Sequence, residues 1–150
     1  MRAVIQRVSK ARVVVDDKIV GKIGRGLLIL LGVKAGDQEA EIPWLADKCV
    51  NLRIFDNEEG KFHHSLLEIG GEVLVVSQFT LYGDCRRGRR PGFSDAAEPA
   101  LADQLYQKFV QYLKEKDLKV ETGIFAAKMS VELVNEGPVT MIVNSKEENG

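Results

Sequence analysis

The sequence is poor in the residues that serve most often as catalytic bases or metal ligands. It has two histidines and two cysteines in 150 residues. Cys49 and Cys85 form no Cys-x-x-Cys pair and have no histidine at metal-ligand spacing, so neither a zinc site nor a disulfide framework is predicted. We expect both thiols to be reduced.

Long apolar segments are also missing. The longest uncharged apolar run, Gly26 to Val33, is far too short to cross a bilayer, and the N-terminus Met1-Arg2-Ala3-Val4 has no signal-peptide core or cleavage site. We therefore expect a cytoplasmic protein with no membrane partner. The apolar content of 45% and the charged content of 29% are typical of a globular chain, and the length predicts a single domain over residues 1–150.

The sequence also lacks a surplus of positive charge. The 21 basic and 22 acidic side chains give a net charge of −1, so any contact with nucleic acid must be local. The one dense basic cluster is Arg86-Arg87-Gly88-Arg89-Arg90-Pro91. It is either a solvated loop or a contact for phosphates, and on composition alone the solvated loop is favoured.

Hydrophobic periodicity predicts an α/β domain with mixed sheets and two main helices. One helix begins near Gly36-Asp37 with Asp37 as N-cap, although Pro43 requires a later start or a kink. The other carries Leu101, Leu105, Phe109 and Leu113. Asn135-Glu136-Gly137-Pro138 is predicted to be a turn. The predicted strands cover Ala3 to Val15, Ile19 to Ile23, Leu27 to Val33, Leu52 to Phe55, Lys119 to Thr122, Lys128 to Val134 and Val139 to Val143, with a polar tail over Ser145 to Gly150.

The central stretch runs from Val73 to Leu81. Its first residues predict a strand buried on both faces, which then gives way to Ser77, Gln78 and Thr80. Polar groups at the end of a buried strand are often part of a ligand site. Serine and threonine also commonly bond their own backbone at strand ends, and on spacing alone that explanation is preferred. A long irregular loop, Tyr82 to Asp95, follows and is a second candidate for function.

The sequence contains no established catalytic frame. There is no Gly-x-Ser-x-Gly, Ser-x-x-Lys, P-loop or Gly-x-Gly-x-x-Gly, and therefore no sign of a bound cofactor. His63 and His64 are adjacent on an extended segment, so their side chains point to opposite faces and cannot serve one site there. If the chain is an enzyme, it depends on positioning, on backbone N–H groups and on a proton acceptor in the substrate.

Two segments carry a resemblance to a known family. Ser77-Gln78-Phe79-Thr80-Leu81 and Gly137-Pro138-Val139-Thr140, at this separation, resemble the D-aminoacyl-tRNA deacylases. The flanking sequence agrees from end to end, in Ala3 to Val8, Asn51 to Phe55 and Val131 to Asn135. Each segment alone is a weak signal, whereas both in order with matching flanks form a strong one.

The resemblance implies a partly barrel-like core and a homodimer that hydrolyses the ester joining a D-amino acid, or glycine, to the 3′-terminal adenosine of tRNA. It implies that Ser77, Gln78, Phe79 and Thr80 form the catalytic pocket floor. It also implies that a cis Gly137-Pro138 bond enters the partner subunit's pocket. Backbone carbonyls placed there would clash with the side chain of an L-residue and leave D-residues and glycine untouched, which is selection by exclusion.

Further residues take roles from the same resemblance. Arg7 would brace the Gly137-Pro138 turn, or alternatively form a surface salt bridge. Phe125 and Met129 would line the pocket, or alternatively belong to the core, and family members often have glycine where Ala126 stands. Either the 2′-OH of tRNA assists the attack by water, which we prefer, or Thr80 is a covalent nucleophile.

Two other functions stay open at this stage. The chain could be an RNA-binding module that uses the arginine cluster without catalysis. It could also be a serine or threonine esterase with His63 or His64 as its base. Hydrolysis of D-aminoacyl esters but not L-aminoacyl esters distinguishes the deacylase from both.

Overall fold

The structure is a computed structural model that describes residues 1–146. The helices are α1 (Ile42–Asn51), α2 (Leu66–Ile69) and α3 (Pro99–Lys114), with short 3-10 turns at Glu39–Glu41 and Phe79–Tyr82. The strands are β1 (Arg2–Val15), β2 (Lys18–Ile23), β3 (Gly26–Gly32), β4 (Phe55–Asp56), β5 (Phe62–His64), β6 (Glu72–Ser77), β7 (Val120–Thr122) and β8 (Ser130–Asn144). The main sheet has the strand order β2-β1-β3-β6-β7, with β8 pairing along the other edge of β1, and β4 and β5 form a separate hairpin.

The sheet curls because β1 serves two neighbours on one edge. Its first half pairs with β3, its second half pairs with β2, and β8 follows nearly its whole length on the other side. β2 then approaches β7. The contact is possible because residue 21 is glycine: a Cβ on Gly21 would lie 2.4 Å from the Thr122 carbonyl oxygen. The result is a nearly closed, barrel-like sheet, which confirms the predicted mixed α/β domain.

Two apolar layers hold this sheet. Side chains on one face of β3 and β6, including Leu27, Ile29 and Val75, pack against α1 and α3. Side chains on the other face, including Leu28, Leu74 and Val76, fill the interior of the barrel. The central strands are therefore buried on both faces, as their unbroken runs of aliphatic residues predict.

The first helix corrects one prediction. It starts at Ile42, so Pro43 lies in the first turn, where its missing N–H is harmless. Asp37 is not its N-cap. The Asp37 carboxylate instead accepts the Lys34 N–H at 2.6 Å and pairs with the Met1 ammonium at 2.6 Å. The late start near Pro43 was the correct alternative.

The last strand corrects a second prediction. The predicted turn over residues 135–138 does not separate two strands, because β8 runs continuously from Ser130 to Asn144. Opposite Arg7 the register shifts: Gln6 pairs with Thr140, whereas Val8 pairs with Asn135. The residues 136–139 therefore bulge out of the strand opposite a single residue of β1, an extreme case of a β-bulge.

Smaller differences concern segment ends. The predicted strand Leu52 to Phe55 is reduced to Phe55–Asp56, and the short helix α2 was not predicted. α2 forms because Ser65 caps it with a reciprocal Glu68 bond, a capping box. Of the predicted tail, residues 147–150 lie outside the described part of the chain. No helix within residues 1–146 is long and apolar enough to cross a membrane.

Candidate active site

A cavity of about 580 Å³ opens at the carboxyl end of β6. Ser77, Gln78 and Phe79 line one side of it, and Phe125 and Met129, from the connection between β7 and β8, line another. Open sheets commonly place their ligands at this end of their strands. The structure therefore brings together five of the site residues predicted from the sequence.

The pocket floor is held by the core beneath it. Ser77 is the last residue of β6 and pairs with Leu31 of β3, and the Gln78 N–H donates to the Leu31 carbonyl at 2.8 Å. The chain then turns into the 3-10 helix Phe79–Tyr82. The first amides of a helix have no partner within it, so this turn presents N–H groups next to the cavity.

Thr80 lies beside the pocket and is not one of its lining residues. It is exposed, and its hydroxyl accepts a hydrogen bond from the Gln78 side-chain amide. A threonine that acts as a nucleophile needs a base within hydrogen-bond reach. The partner found here is an amide donor, which cannot remove a proton.

The pocket contains no titratable side chain. All of its described lining residues are aliphatic or aromatic hydrocarbons, serine, glutamine, proline or methionine. The two histidines lie elsewhere, on β5, where His63 contacts Arg53 at 3.0 Å and His64 contacts Glu68 at 3.5 Å. Within residues 1–146 no group of three or more acidic, histidine or cysteine side chains is placed to hold a metal ion.

An aromatic pair forms the mouth of the pocket. The rings of Phe79 and Phe93 meet edge to face with centroids 5.1 Å apart, and their side chains are 55% and 40% exposed. Phe93 was not predicted as a site residue. In the sequence, the signal for Phe93 is its place in the long loop Tyr82 to Asp95, whose composition is dominated by arginine and glycine.

That loop is closed at its base next to Phe93. Asp84 and Gly92 exchange backbone hydrogen bonds of 2.7 and 2.9 Å. The Arg86 guanidinium holds Asp84 through two side-chain bonds of 2.9 and 2.8 Å, and this pairing lowers the pKa of the Asp84 carboxyl to about 2. The other arginines of the cluster, Arg87, Arg89 and Arg90, are exposed. The loop that carries the cluster therefore has its base next to the pocket mouth.

The far wall contains one unusual backbone position. Ala126 lines the cavity with a φ of +63°, a left-handed conformation that favours glycine. The preceding residue, Phe125, packs against Tyr106, and the centroids of the two rings are 6.1 Å apart. Burial raises the pKa of Tyr106 to about 12, and its hydroxyl donates to the Val75 carbonyl at 3.1 Å.

The predicted Gly137-Pro138 segment lies at a different place. It is exposed, lies in the bulge of β8 and does not line the cavity of its own subunit. The bond between the two residues is cis, as predicted. Asn135 closes the bulge, since its side-chain oxygen accepts the Val139 N–H at 2.9 Å and its amide donates to Thr140 at 3.0 Å.

Arg7 supports this bulge from beneath. Its Nε donates to the Glu136 carbonyl at 3.0 Å, and one terminal nitrogen donates to the Ile54 carbonyl at 2.9 Å and to Asp56 at 3.1 Å. The residue is only 6% exposed. The alternative of a salt bridge is also met in part, because Arg7 pairs with Asp56, whose side chain is 41% exposed, although the arginine itself is buried. The contact to the carbonyl before Gly137 agrees with a bracing role, and the roles of the site residues in catalysis stay predictions.

Comparisons with known proteins point in one direction. Residues 4–144 match the family model described as D-Tyr-tRNA(Tyr) deacylase. Proteins named D-aminoacyl-tRNA deacylase are 59% identical in Thermosipho africanus and 56% identical in Clostridioides difficile, each over 98% of this chain and 99% of the relative. The protein of the same name from Roseiflexus castenholzii is 61% identical over 97% of this chain and 92% of its own length.

Solved structures agree with this fold. One titled c-Myc DNA Unwinding Element Binding Protein superposes with a TM-score of 0.92 at 36% identity, over 98% of this chain and 100% of that one. Another, titled as a probable eukaryotic D-amino acid tRNA deacylase, has a TM-score of 0.81 at 17% identity, over 95% of this chain and 97% of that one. The second likeness concerns the fold alone.

Proposed function

The chain belongs to the D-Tyr-tRNA(Tyr) deacylase family, and we propose that it hydrolyses the ester between a D-amino acid, or glycine, and the 3′-terminal adenosine of tRNA. It is an enzyme of the hydrolase class. The observation that carries the proposal, beyond family membership, is the pocket: Ser77, Gln78 and Phe79 line a cavity without any titratable side chain. Such a site suits a substrate that brings its own proton acceptor.

The reaction is a hydrolysis without a covalent enzyme intermediate. The oxygen of a water molecule attacks the ester carbonyl carbon, the bond from that carbon to the 3′-oxygen breaks, and the 3′-oxygen leaves with a proton. The neighbouring 2′-OH of the tRNA assists the attack. The N–H groups of Phe79 and Thr80, with the Gln78 amide, stabilise the negative charge that develops on the carbonyl oxygen.

Chiral selection comes from a second copy of the chain. In the proposed homodimer the cis Gly137-Pro138 segment of one subunit enters the pocket of the other and excludes L-amino acids by steric conflict with its carbonyls. The exposure of both residues and their distance from the pocket of their own subunit support an action between subunits. Exposed apolar side chains at the pocket mouth, Phe79 and Phe93, offer the partner a surface.

The arginine cluster contributes the local positive charge that the whole chain lacks. Three exposed arginines on a loop whose base adjoins the pocket mouth suit the phosphates next to the terminal adenosine of an acceptor stem. We propose the cytoplasm, where aminoacyl-tRNA is used in translation, as the place of action.

The first experiment is a paired deacylation assay on one tRNA charged either with D-tyrosine or with L-tyrosine. We expect rapid loss of the D-ester only. Survival of both esters while the tRNA still binds would contradict the proposal and support a non-catalytic RNA-binding protein. Loss of both esters, or of esters without RNA, would identify a general esterase.

Exchange of subunits tests the dimer. One variant carries a blocked pocket through Ala102→Trp, at a residue of α3 that lines the cavity, and the other carries an altered bulge, Pro138→Ala. Mixed dimers contain one site with an intact pocket and an intact Gly-Pro segment from the other chain. We expect D-selective activity to appear on mixing, whereas selection within one subunit predicts that no such activity appears.

A further inference from the structure

The side chain of Arg7 contacts both the hairpin formed by β4 and β5 and the Gly-Pro bulge. Arg7 donates from one terminal nitrogen to Ile54 and Asp56 at the start of the hairpin, and from Nε to the Glu136 carbonyl in the bulge. The two segments are about eighty residues apart along the chain, as residues 54–56 and 136 show. Arg7 therefore joins two segments that are distant in the sequence.

The guanidinium group transmits position because it is rigid. Its donors are arranged in one plane, so acceptors that fix one edge also set the direction of the other edge. The hairpin supplies two acceptors, the Ile54 carbonyl at 2.9 Å and the Asp56 carboxylate at 3.1 Å. It also supplies the Phe62 ring, whose centroid lies 5.8 Å from the guanidinium carbon.

The opposite edge of the guanidinium lies against the Gly-Pro segment. A Cβ placed on Gly137 would be 3.0 Å from the second terminal nitrogen of Arg7 and 2.8 Å from a methyl group of Val139. No space therefore separates the arginine from the backbone at this point. If the guanidinium rotates, the Glu136 carbonyl loses its donor and Gly137 loses the surface against which it packs.

We propose that Asp56, with Phe62 beside it, is a positioning residue for chiral selection. It orients Arg7, and Arg7 in turn holds the carbonyls of the Gly-Pro segment in the direction that excludes L-amino acids. This inference rests on the proposed function. Asp56 does not line the pocket of its own subunit, and it acts on the Gly-Pro segment through Arg7, so its loss should change selectivity more than the D-ester rate.

The test compares two identical substitutions. Asp56→Asn removes the charge that fixes Arg7, and Asp47→Asn removes a carboxylate of similar exposure that pairs with Lys116 at 2.6 Å, away from the pocket and from Arg7. Steady-state kcat/KM is measured on D-tyrosyl- and L-tyrosyl-tRNA for the wild type and both variants. Asp56→Glu and Phe62→Leu complete the set, and the thermal midpoint of each protein is recorded.

We expect Asp56→Asn to lower the D-to-L ratio of kcat/KM about tenfold, the usual scale for one charge-assisted hydrogen bond, through a faster L-ester reaction. Asp47→Asn should keep the wild-type ratio, and Asp56→Glu should restore much of it. Phe62→Leu, which keeps the ion pair, should lower the ratio about threefold and decides the question if Asp56→Asn fails to fold.

Two results would overturn the inference in different ways. A folded Asp56→Asn protein with the wild-type ratio, or with D and L rates reduced equally, shows that the contact only stabilises the fold. A wild type that does not distinguish the two esters shows that the proposed function itself is wrong, and the inference falls with it.

Discussion

The pocket and the Gly-Pro bulge are built in opposite ways. The pocket floor is the end of a strand buried on both faces, and many apolar contacts of similar strength hold it in place. The bulge is an irregular segment on the surface, and its shape depends on a few polar contacts, one from the buried Arg7 to the Glu136 carbonyl and two from the Asn135 side chain. The floor should therefore tolerate single changes that the bulge does not.

The largest expected effect comes from Arg7. Arg7→Met should lower the free energy of unfolding by about 3 kcal/mol, because it leaves two carbonyls and a carboxylate without their buried donor. Denaturant unfolding measures this. Arg12→Met on the same strand is the matched control, since Arg12 forms an exposed pair with Glu132 and its replacement should cost much less. Equal costs for the two substitutions would remove the contrast between the regions.

The second largest effect is expected for Gly137→Ala. The new methyl group would meet Val139 at 2.8 Å and Arg7 at 3.0 Å, and the residue has a φ of +134°. We expect a loss of about 2–3 kcal/mol together with a reduced preference for the D-ester. Gly36→Ala is the control, because Gly36 also has a positive φ, +89°, but has no atom within 4 Å of a new Cβ. Its cost should be about 1 kcal/mol.

Thr80→Ala tests the pocket side of the comparison. Without a base near its hydroxyl, Thr80 should contribute little to the attack, so the variant should keep most of its activity on D-tyrosyl-tRNA. A tRNA that ends in 2′-deoxyadenosine should instead lose most of its reactivity with the wild type. Near-total inactivity of a folded Thr80→Ala protein would favour the covalent route, and retention of activity on the deoxy substrate would exclude assistance by the 2′-OH.

The smallest expected effect concerns the pocket wall. Ala126→Gly should stabilise the fold by about 0.5 kcal/mol, since relief of the left-handed alanine slightly outweighs the entropy of glycine in the unfolded chain. The matched control is Ala127→Gly. Ala127 lines the same cavity and has no positive φ, so this substitution should destabilise the fold. Thermal unfolding of the two variants distinguishes them by the sign of the shift.

Local sequence patterns predicted the regular elements well. The aliphatic runs at Leu27 and Val73 are buried strands, and the amphipathic stripe from Leu101 to Leu113 is a helix. The predictions failed where a distant partner decides the conformation. Asp37 resembles an N-cap in its local context, yet it binds the Met1 ammonium. The residues 135–138 have the composition of a turn, yet pairing with β1 continues on both sides of them.

The site was predicted only in part, because some of its residues also depend on distant partners. The two motif segments marked Ser77 to Phe79 and Gly137-Pro138, and the comparisons confirmed the family that they indicated. Asp56, which pairs with Arg7, carries no local signal, and Phe93, at the pocket mouth, had only its place in the long loop. Their importance depends on contacts with Phe79 and Arg7 that sequence spacing does not reveal.

The sequence by itself indicated the family, through the resemblance of its two motif segments, and it determined the buried central strands, the two main helices and the absence of catalytic acids and bases from its motifs, because these last properties follow from residue type and periodicity. Only the tertiary structure decided that Ser77 to Phe79 face the same cavity as Phe125 and Met129, and that the Gly-Pro segment lies outside it. It also decided that Arg7 is buried. Such facts depend on which distant segments meet when the sheet curls, and a linear pattern contains no information on that closure.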